Sequence, residues 1–207
     1  METRENNTKE RILEEALELF AQSGYMGTSM NEIAARLGVT KAALYKHYTG
    51  KQEILDSIIE KMNSMDMERA RIYEMPEGTM EEVIAEYRNT AFDKIREYTR
   101  VQFLHWTKEE FSSDFRKMLT LEQYRSPEMA KLYQKYLVEG PVHYIEMIFL
   151  GILKNSEDAR QFAMDFYGPI FLLYSLYDGT EEKDDVLLML ERHVDRFSKM
   201  FKETALK

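Results

Sequence analysis

Between Thr8 and Ser23 the apolar residues Ile12, Leu13, Ala16, Leu17 and Phe20 recur every three or four positions, with Glu10, Glu14, Glu15 and Glu18 mostly on the other side. That period predicts an amphipathic helix with one buried stripe. Gly24 ends it, as a residue that accepts the left-handed conformation does after a helix. Ser29-x-x-Glu32 then reads as a capping box, in which each side chain serves the other's backbone N–H. The second helix it opens has Met30, Ile33, Ala34 and Leu37 on its inner face. Gly38 stops that helix, Val39 is placed to plug the turn, and Thr40 is placed to cap a third, short helix reaching about His47. Two short helices therefore meet across a tight glycine turn.

The box Thr49-x-x-Gln52 opens a fourth helix whose stripe Ile54, Leu55, Ile58, Ile59, Met62 and Met65 persists to about Tyr73. At 1.5 Å per residue it reaches roughly 35 Å, long enough to couple two domains. Met75-Pro76-Glu77-Gly78 breaks the pattern, and Thr79-x-x-Glu82 caps a helix running to about Tyr98. Shorter helical stretches follow to Phe111 and from Ser112 to Tyr124. Ser126-Pro127 starts a long pattern to Lys154, interrupted by Gly140-Pro141 and so read as two helices or one kinked helix. Two last helices, about 157–178 and 182–203, flank Asp178-Gly179-Thr180. The fold class is all-α. A three-helix N-terminal domain, residues 1–50, is joined by the long helix to a larger helical bundle, residues 51–207.

Composition narrows the function classes. Only 4 Pro and 9 Gly among 207 residues leave little punctuation for short strands. With no cysteine, disulfides, thiol catalysis and thiolate metal sites are excluded. No apolar leader opens the chain, and no run of about 18 uninterrupted apolar residues occurs, so a soluble, cytoplasmic protein without a membrane partner is expected. Signatures such as G-x-S-x-G, G-x-G-x-x-G and the P-loop are missing, and the expectation is a non-enzyme without a cofactor. His105 with Glu109, and His143 with Glu146, stand at one-turn spacing on helix faces, but two ligands without a third do not make a metal site, and none is expected.

Charge at first argues against nucleic acid: 28 Lys and Arg against 37 Asp and Glu give a net charge of -9. Its distribution reverses that argument. The twenty residues between Glu32 and Glu53 contain no acid, and Arg36, Lys41, Lys46 and Lys51 lie among them with His47. Helix, glycine turn, then a short helix rich in Lys and hydroxyls is the pattern of a helix-turn-helix. With Leu44 turned inward, Tyr48 lies about 40° from it on a helical wheel while Ala42 and Lys46 lie about 160° away. Lys41, Ala42, Ala43 and Lys46 are therefore candidates for the major groove, where small residues let a helix sit deep.

The combined pattern Leu19-Phe20-x-x-x-Gly24-Tyr25-x-x-Thr28-Ser29-Met30-x-x-Ile33-Ala34-x-x-Leu37-Gly38-Val39-Thr40-Lys41-Ala42-Ala43-Leu44-Tyr45-Lys46-His47-Tyr48-x-x-Lys51 resembles the N-terminal domain of the tetracycline-repressor (TetR) family of bacterial transcriptional regulators. The likeness spans about residues 8–55, and Ala43 stands where Thr or Ser is more usual. It implies that Ser29, Thr40, Tyr45, His47 and Lys51 meet DNA. It also implies a two-fold dimer on double-stranded operator DNA and a small-molecule effector inside the C-terminal domain.

The residues agree with a dimer, since 166–177 is apolar almost all round and the last helix repeats apolar residues at Val186, Leu187, Leu190, Val194, Phe197 and Phe201. Phe171, Tyr174, Leu190, Val194, Phe197 and Phe201 are the expected interface. Phe103, Trp106, Tyr144 and Phe166 are the expected pocket walls for an apolar or aromatic effector, because they combine large apolar area with polar tips at Trp106 and Tyr144. The function read from these features is a ligand-responsive transcriptional repressor. The alternative, a helical protein-binding or scaffolding module, has only the acidic net charge behind it.

Overall fold

The stripe read from the first helix is buried along its whole length, with Ala16, Leu17 and Phe20 shut off from solvent. In this computed structural model, which describes residues 2–88, 90, 92–153 and 156–205, the described regular structure is entirely helical. In chain order the helices are α1 (Glu2–Ser23), α2 (Met30–Leu37), α3 (Lys41–Leu44), α4 (Lys51–Ile72), α5 (Met80–Tyr87), α6 (Phe92–Thr107), α7 (Glu110–Glu122), α8 (Pro127–Leu137), α9 (Glu139–Leu153), α10 (Ser156–Gly179) and α11 (Lys183–Ala205).

They form two compact units interleaved in sequence: Met1–Arg69 with Glu110–Tyr133, and Ala70–Glu109 with Gln134–Lys207. A boundary at residue 50 therefore separates the reading helices from the rest in sequence but not in packing. In the first unit α7 packs along α1, burying Phe115, Met118 and Leu119, one face at helical spacing. Lys61 ties α4 to the same two helices, 2.8 Å from Glu10 of α1 and 4.4 Å from the centre of the Phe111 ring in α7. The chain passes between the units three times: inside α4, at the α6–α7 turn and inside α8. The long fourth helix is thus one of three connections.

The capping boxes at Ser29 and Thr79 form as read, each with both reciprocal hydrogen bonds. At Thr49 the partner is Glu53 rather than Gln52: the Thr49 N–H and hydroxyl donate to the Glu53 carboxylate at 2.6 and 2.7 Å. Gln52 instead accepts from the Tyr25 hydroxyl at 3.0 Å. The helix expected to run from residue 79 to about Tyr98 breaks ten residues earlier, between α5 and α6. There the Thr90 hydroxyl donates to the Glu86 carbonyl at 3.0 Å, the local side-chain bond by which Thr competes with a helical backbone. Val39 does not plug its turn; it is 43% exposed.

In the second unit α9, α10 and α11 pack in succession, with α5 against α9 and α6 against both α10 and α11. Rings fill the joints. Phe103 of α6 stacks on Tyr174 of α10 at 5.2 Å, and Phe149, Phe162, Phe197 and Phe201 join α9, α10 and α11 with centroids 4.8 to 6.1 Å apart. Each buried ring of this kind stabilises by roughly 1.5 to 3 kcal/mol of transferred apolar area. Pro127–Leu153 is apolar and long enough by composition to cross a membrane, yet it is divided at Val138 into α8 and α9, and α9 lies against α5 and α10.

These contacts correct the expected dimer face. Tyr174, Leu190, Val194 and Phe197 are buried inside their own unit, and Phe201 packs on Phe149 and Phe162; of the six residues, Phe171 stays exposed. The apolar pattern of α10 and α11 has two faces, and the stripe at 186, 190, 194 and 197 is the inner one. The outer one carries Leu172, Leu176, Leu188, Met189 and Met200.

The first unit makes one sharp demand on sequence. Gly24 has φ +81, and a Cβ there would overlap Glu122 Oε1 and Arg125 Nη1. Gly24→Ala combines left-handed strain with disruption of a buried carboxylate and is expected to lower stability by at least about 2 kcal/mol, read as a fall in the urea midpoint at unchanged m-value.

Candidate nucleic-acid interface

Helix α2 ends because Gly38 adopts φ +68, letting its N–H reach the Ala35 carbonyl at 3.1 Å while the Val39 N–H reaches that of Ala34 at 3.0 Å. Two residues later Thr40 caps α3, its hydroxyl accepting from the Ala43 N–H at 3.2 Å. Leu44 and Tyr48 then point inward and are buried, as the helical wheel requires. Lys41, Ala42, Tyr45 and Lys46 face solvent, with Ala43 and His47 half-buried beside them. The His47 Nδ1 is buried without a hydrogen-bond partner among the described residues. Ser29 and Thr40, both exposed caps, bring hydroxyls to the N-terminal ends of α2 and α3.

The four bases of the acid-free window have divergent roles. Arg36 leans onto α1, 2.9 Å from Glu18 and 3.7 Å from Glu15. Lys51 is turned inward: its ammonium donates to the carbonyls of Tyr25 at 2.5 Å and Thr28 at 2.7 Å, and lies 4.4 Å from the centre of the Tyr25 ring. Burial pulls its pKa below the ordinary lysine range, against the opposing pull of Glu122 and Glu32. Lys41 and Lys46 remain on the outer face, Lys41 with its ammonium 5.8 Å from the Tyr45 ring centre. The surface thus offers small side chains, two cations, two hydroxyl caps and a phenol, a set suited to phosphate oxygens and base edges.

Glu122 was not legible as part of this region. It is wholly buried at the end of α7, yet its Oε1 accepts from the Met26 N–H at 3.4 Å in the loop before α2. The two residues are 96 apart in sequence, and no local pattern marks such a pair.

The four expected wall residues keep different company. Phe103 is enclosed by Tyr174 and Tyr177, Trp106 meets the edge of His105, and Phe166 packs on Phe197 and His193. Tyr144 is partly exposed and shares a hydrogen bond with Tyr87; burial raises both phenol pKa values. His105 meets Glu109 at 2.7 Å and His143 meets Glu146 at 3.9 Å as pairs, and among the described residues no third metal-binding group joins either.

The family described as "Bacterial regulatory proteins, tetR family" matches residues 12–58, the stretch that holds the helix-turn-helix and Lys51. The biofilm operon icaADBC HTH-type negative transcriptional regulator IcaR of Staphylococcus aureus (strain Newman) is 29% identical over 164 residues, covering 76% of this chain and 87% of that protein. Among solved structures, a transcriptional regulator from Aquifex aeolicus VF5 superposes with a TM-score of 0.63 at 23% identity, over 94% of this chain and 99% of that one. AibR, solved in complex with isovaleryl coenzyme A and operator DNA, gives a TM-score of 0.55 at 23% identity over 88% and 95% of the two chains. Helix-turn-helix geometry and the family match agree over residues 12–58, where the chain is similar to the DNA-binding domain of TetR-family regulators, and the fold of the whole chain is shared with these solved regulators.

Proposed function

We propose that this protein is a cytoplasmic transcriptional repressor that binds a palindromic operator as a homodimer and releases it when a small apolar or aromatic molecule binds. The outward face of α3, with Lys41, Ala42, Tyr45 and Lys46 exposed directly after the Thr40 cap in a stretch free of acids, is the observation that carries the DNA reading. Lys41, Ala42, Ala43, Lys46 and His47 enter the major groove, while Ser29, Thr40 and Tyr45 hold phosphates. Repression is the reading favoured by the likeness to IcaR, named a negative regulator, and the AibR complex is a precedent for one fold holding both operator and ligand.

Lys41→Ala and Lys46→Ala are each expected to weaken operator binding by about 1 to 3 kcal/mol, and each phosphate no longer neutralised makes the slope of log K against log salt shallower by about 0.9. Unchanged affinity and slope in both variants would exclude this face and favour a protein-binding module.

The homodimer forms through the outer face of α10 and α11, where Phe171, Leu172, Leu176, Leu188, Met189 and Met200 expose apolar area that a lone subunit leaves in water. Leu176→Glu is expected to give a sedimentation mass near the 24.6 kDa of one chain. It should also cost operator affinity without touching α3, whereas a mass of two chains in this variant counts against the interface.

The effector site lies in the unit formed by Ala70–Glu109 and Gln134–Lys207. Its walls include Tyr144 with Tyr87, and Phe103, Trp106 and Phe166 where their packing opens. To shift operator binding the ligand must bind the DNA-free conformation more tightly. Trp106 is the single tryptophan, so titration with aromatic acids, flavonoids and acyl thioesters should change its fluorescence in step with operator release for the active class. Release with normal binding in a folded Tyr144→Ala/Phe166→Ala variant places the pocket elsewhere.

A further inference from the structure

We propose that Lys51 and Glu122 are positioning residues for the DNA-reading face, gripping segment 24–28 from opposite helices, with Lys51 serving this role in place of a phosphate contact. The proposal rests on the DNA reading above. Segment 24–28 leads directly into the Ser29 cap, so its placement sets where α2 begins and where the Ser29 hydroxyl stands.

The Lys51 ammonium has three N–H groups, and two are committed to the Tyr25 and Thr28 carbonyls at the two ends of the segment. The residue is half-buried and its ammonium lies 4.4 Å from the centre of the Tyr25 ring. Turning the ammonium outward to a phosphate would break both carbonyl bonds. Inside the segment, the Thr28 hydroxyl donates to the Gly24 carbonyl at 2.9 Å, and from α1 Phe20 meets Tyr25 edge to face at 5.2 Å, so the segment is tied to itself and to α1.

Glu122 holds that segment from α7. Its Oε1 accepts from the Met26 N–H at 3.4 Å and from Arg125 Nη1 at 2.9 Å. Its Oε2 is buried without a hydrogen bond among the described residues. A wholly buried carboxylate with an unmet oxygen is costly, and Arg125 together with the field of Lys51 is what offsets it. The glycine at position 24 leaves the room the carboxylate occupies. The N-terminal end of α4 and the C-terminal end of α7 therefore meet on one five-residue segment.

The test measures operator and non-specific DNA affinity of the full chain by fluorescence anisotropy across a salt series, at a temperature where each variant is folded by circular dichroism. Lys51→Met is expected to weaken operator binding about tenfold, the scale of a hydrogen bond to a charged group, with an unchanged salt slope. A slope shallower by about 0.9 marks a phosphate contact and overturns the proposal. Glu122→Gln removes a negative charge from a DNA-binding unit, which by Coulomb's law alone tightens binding. The expected result is the opposite, about tenfold weaker operator binding with little change on non-specific DNA, because register rather than charge is lost. Equal or tighter operator binding overturns it.

The double variant should lose no more than the weaker-binding single variant, since both act on one segment; multiplicative losses count against the grip. Where Glu122→Gln does not fold, hydrogen exchange of the wild-type Met26 amide decides: protection matching the core of α1 is expected, and free exchange overturns the proposal. If the wild-type chain binds no DNA, the DNA reading fails, and the exchange result still reports on the grip alone.

Discussion

Every element of the DNA-reading unit depends on the burial of one stripe. Ile12, Leu13, Ala16, Leu17 and Phe20 cannot be satisfied by α2 and α3 alone, because those helices have only eight and four residues. The stripe is wrapped from several sides, with Met30, Ile33 and Ala34 of α2, Ile54, Leu55 and Ile58 of α4, and Phe115, Met118 and Leu119 of α7 buried in the same unit. Two short helices at a glycine turn hold their geometry only because a longer helix behind them is itself immobilised. Affinity for DNA in such a unit is bounded by how firmly α1 is held, since exposed Lys41 and Lys46 have no rigidity of their own.

What the sequence disclosed was whatever is decided within about four residues. The Ser29 and Thr79 boxes, the Gly38 turn, the Thr40 cap and the inward choice of Leu44 and Tyr48 are all local, and all appear. The misplaced partner at Thr49 differs by a single position, where Glu53, ionised, outcompetes Gln52 for the cap. Contacts that span the chain were not legible. Nothing near Gly24 announces a carboxylate from residue 122, and nothing near Lys51 says that its charge turns inward.

The same limit explains why the residues expected at a dimer interface lie in the core. A helix with apolar residues on two sides, such as α11, gives no internal indication of which side meets its own subunit, and Leu190, Val194 and Phe197 are the stronger stripe because they serve the core. The weaker outer set, Leu188, Met189 and Met200, is interspersed with exposed Arg192 and Arg196. In α6 and α9 the difficulty is different. Rings that read equally well as pocket or core, such as Phe103 on Tyr174 and Phe166 on Phe197, are here packed against one another, and composition cannot distinguish a wall from a filling.

The interleaving of the two units bears on how the chain is made. A ribosome that has released residues 1–69 has delivered every DNA-reading helix, but not the α7 that covers the back of α1, which ends at residue 122 within a unit completed only at residue 133. At about 5 to 20 residues per second the intervening 64 residues (133 minus 69) take roughly 3 to 13 s, during which the apolar back of α1 is available to chaperones or to neighbouring nascent chains. The reading head is therefore the first part to be synthesised, yet it is not finished until residue 133 has been made. A gene fusion that cuts after residue 69 would inherit that exposed surface permanently.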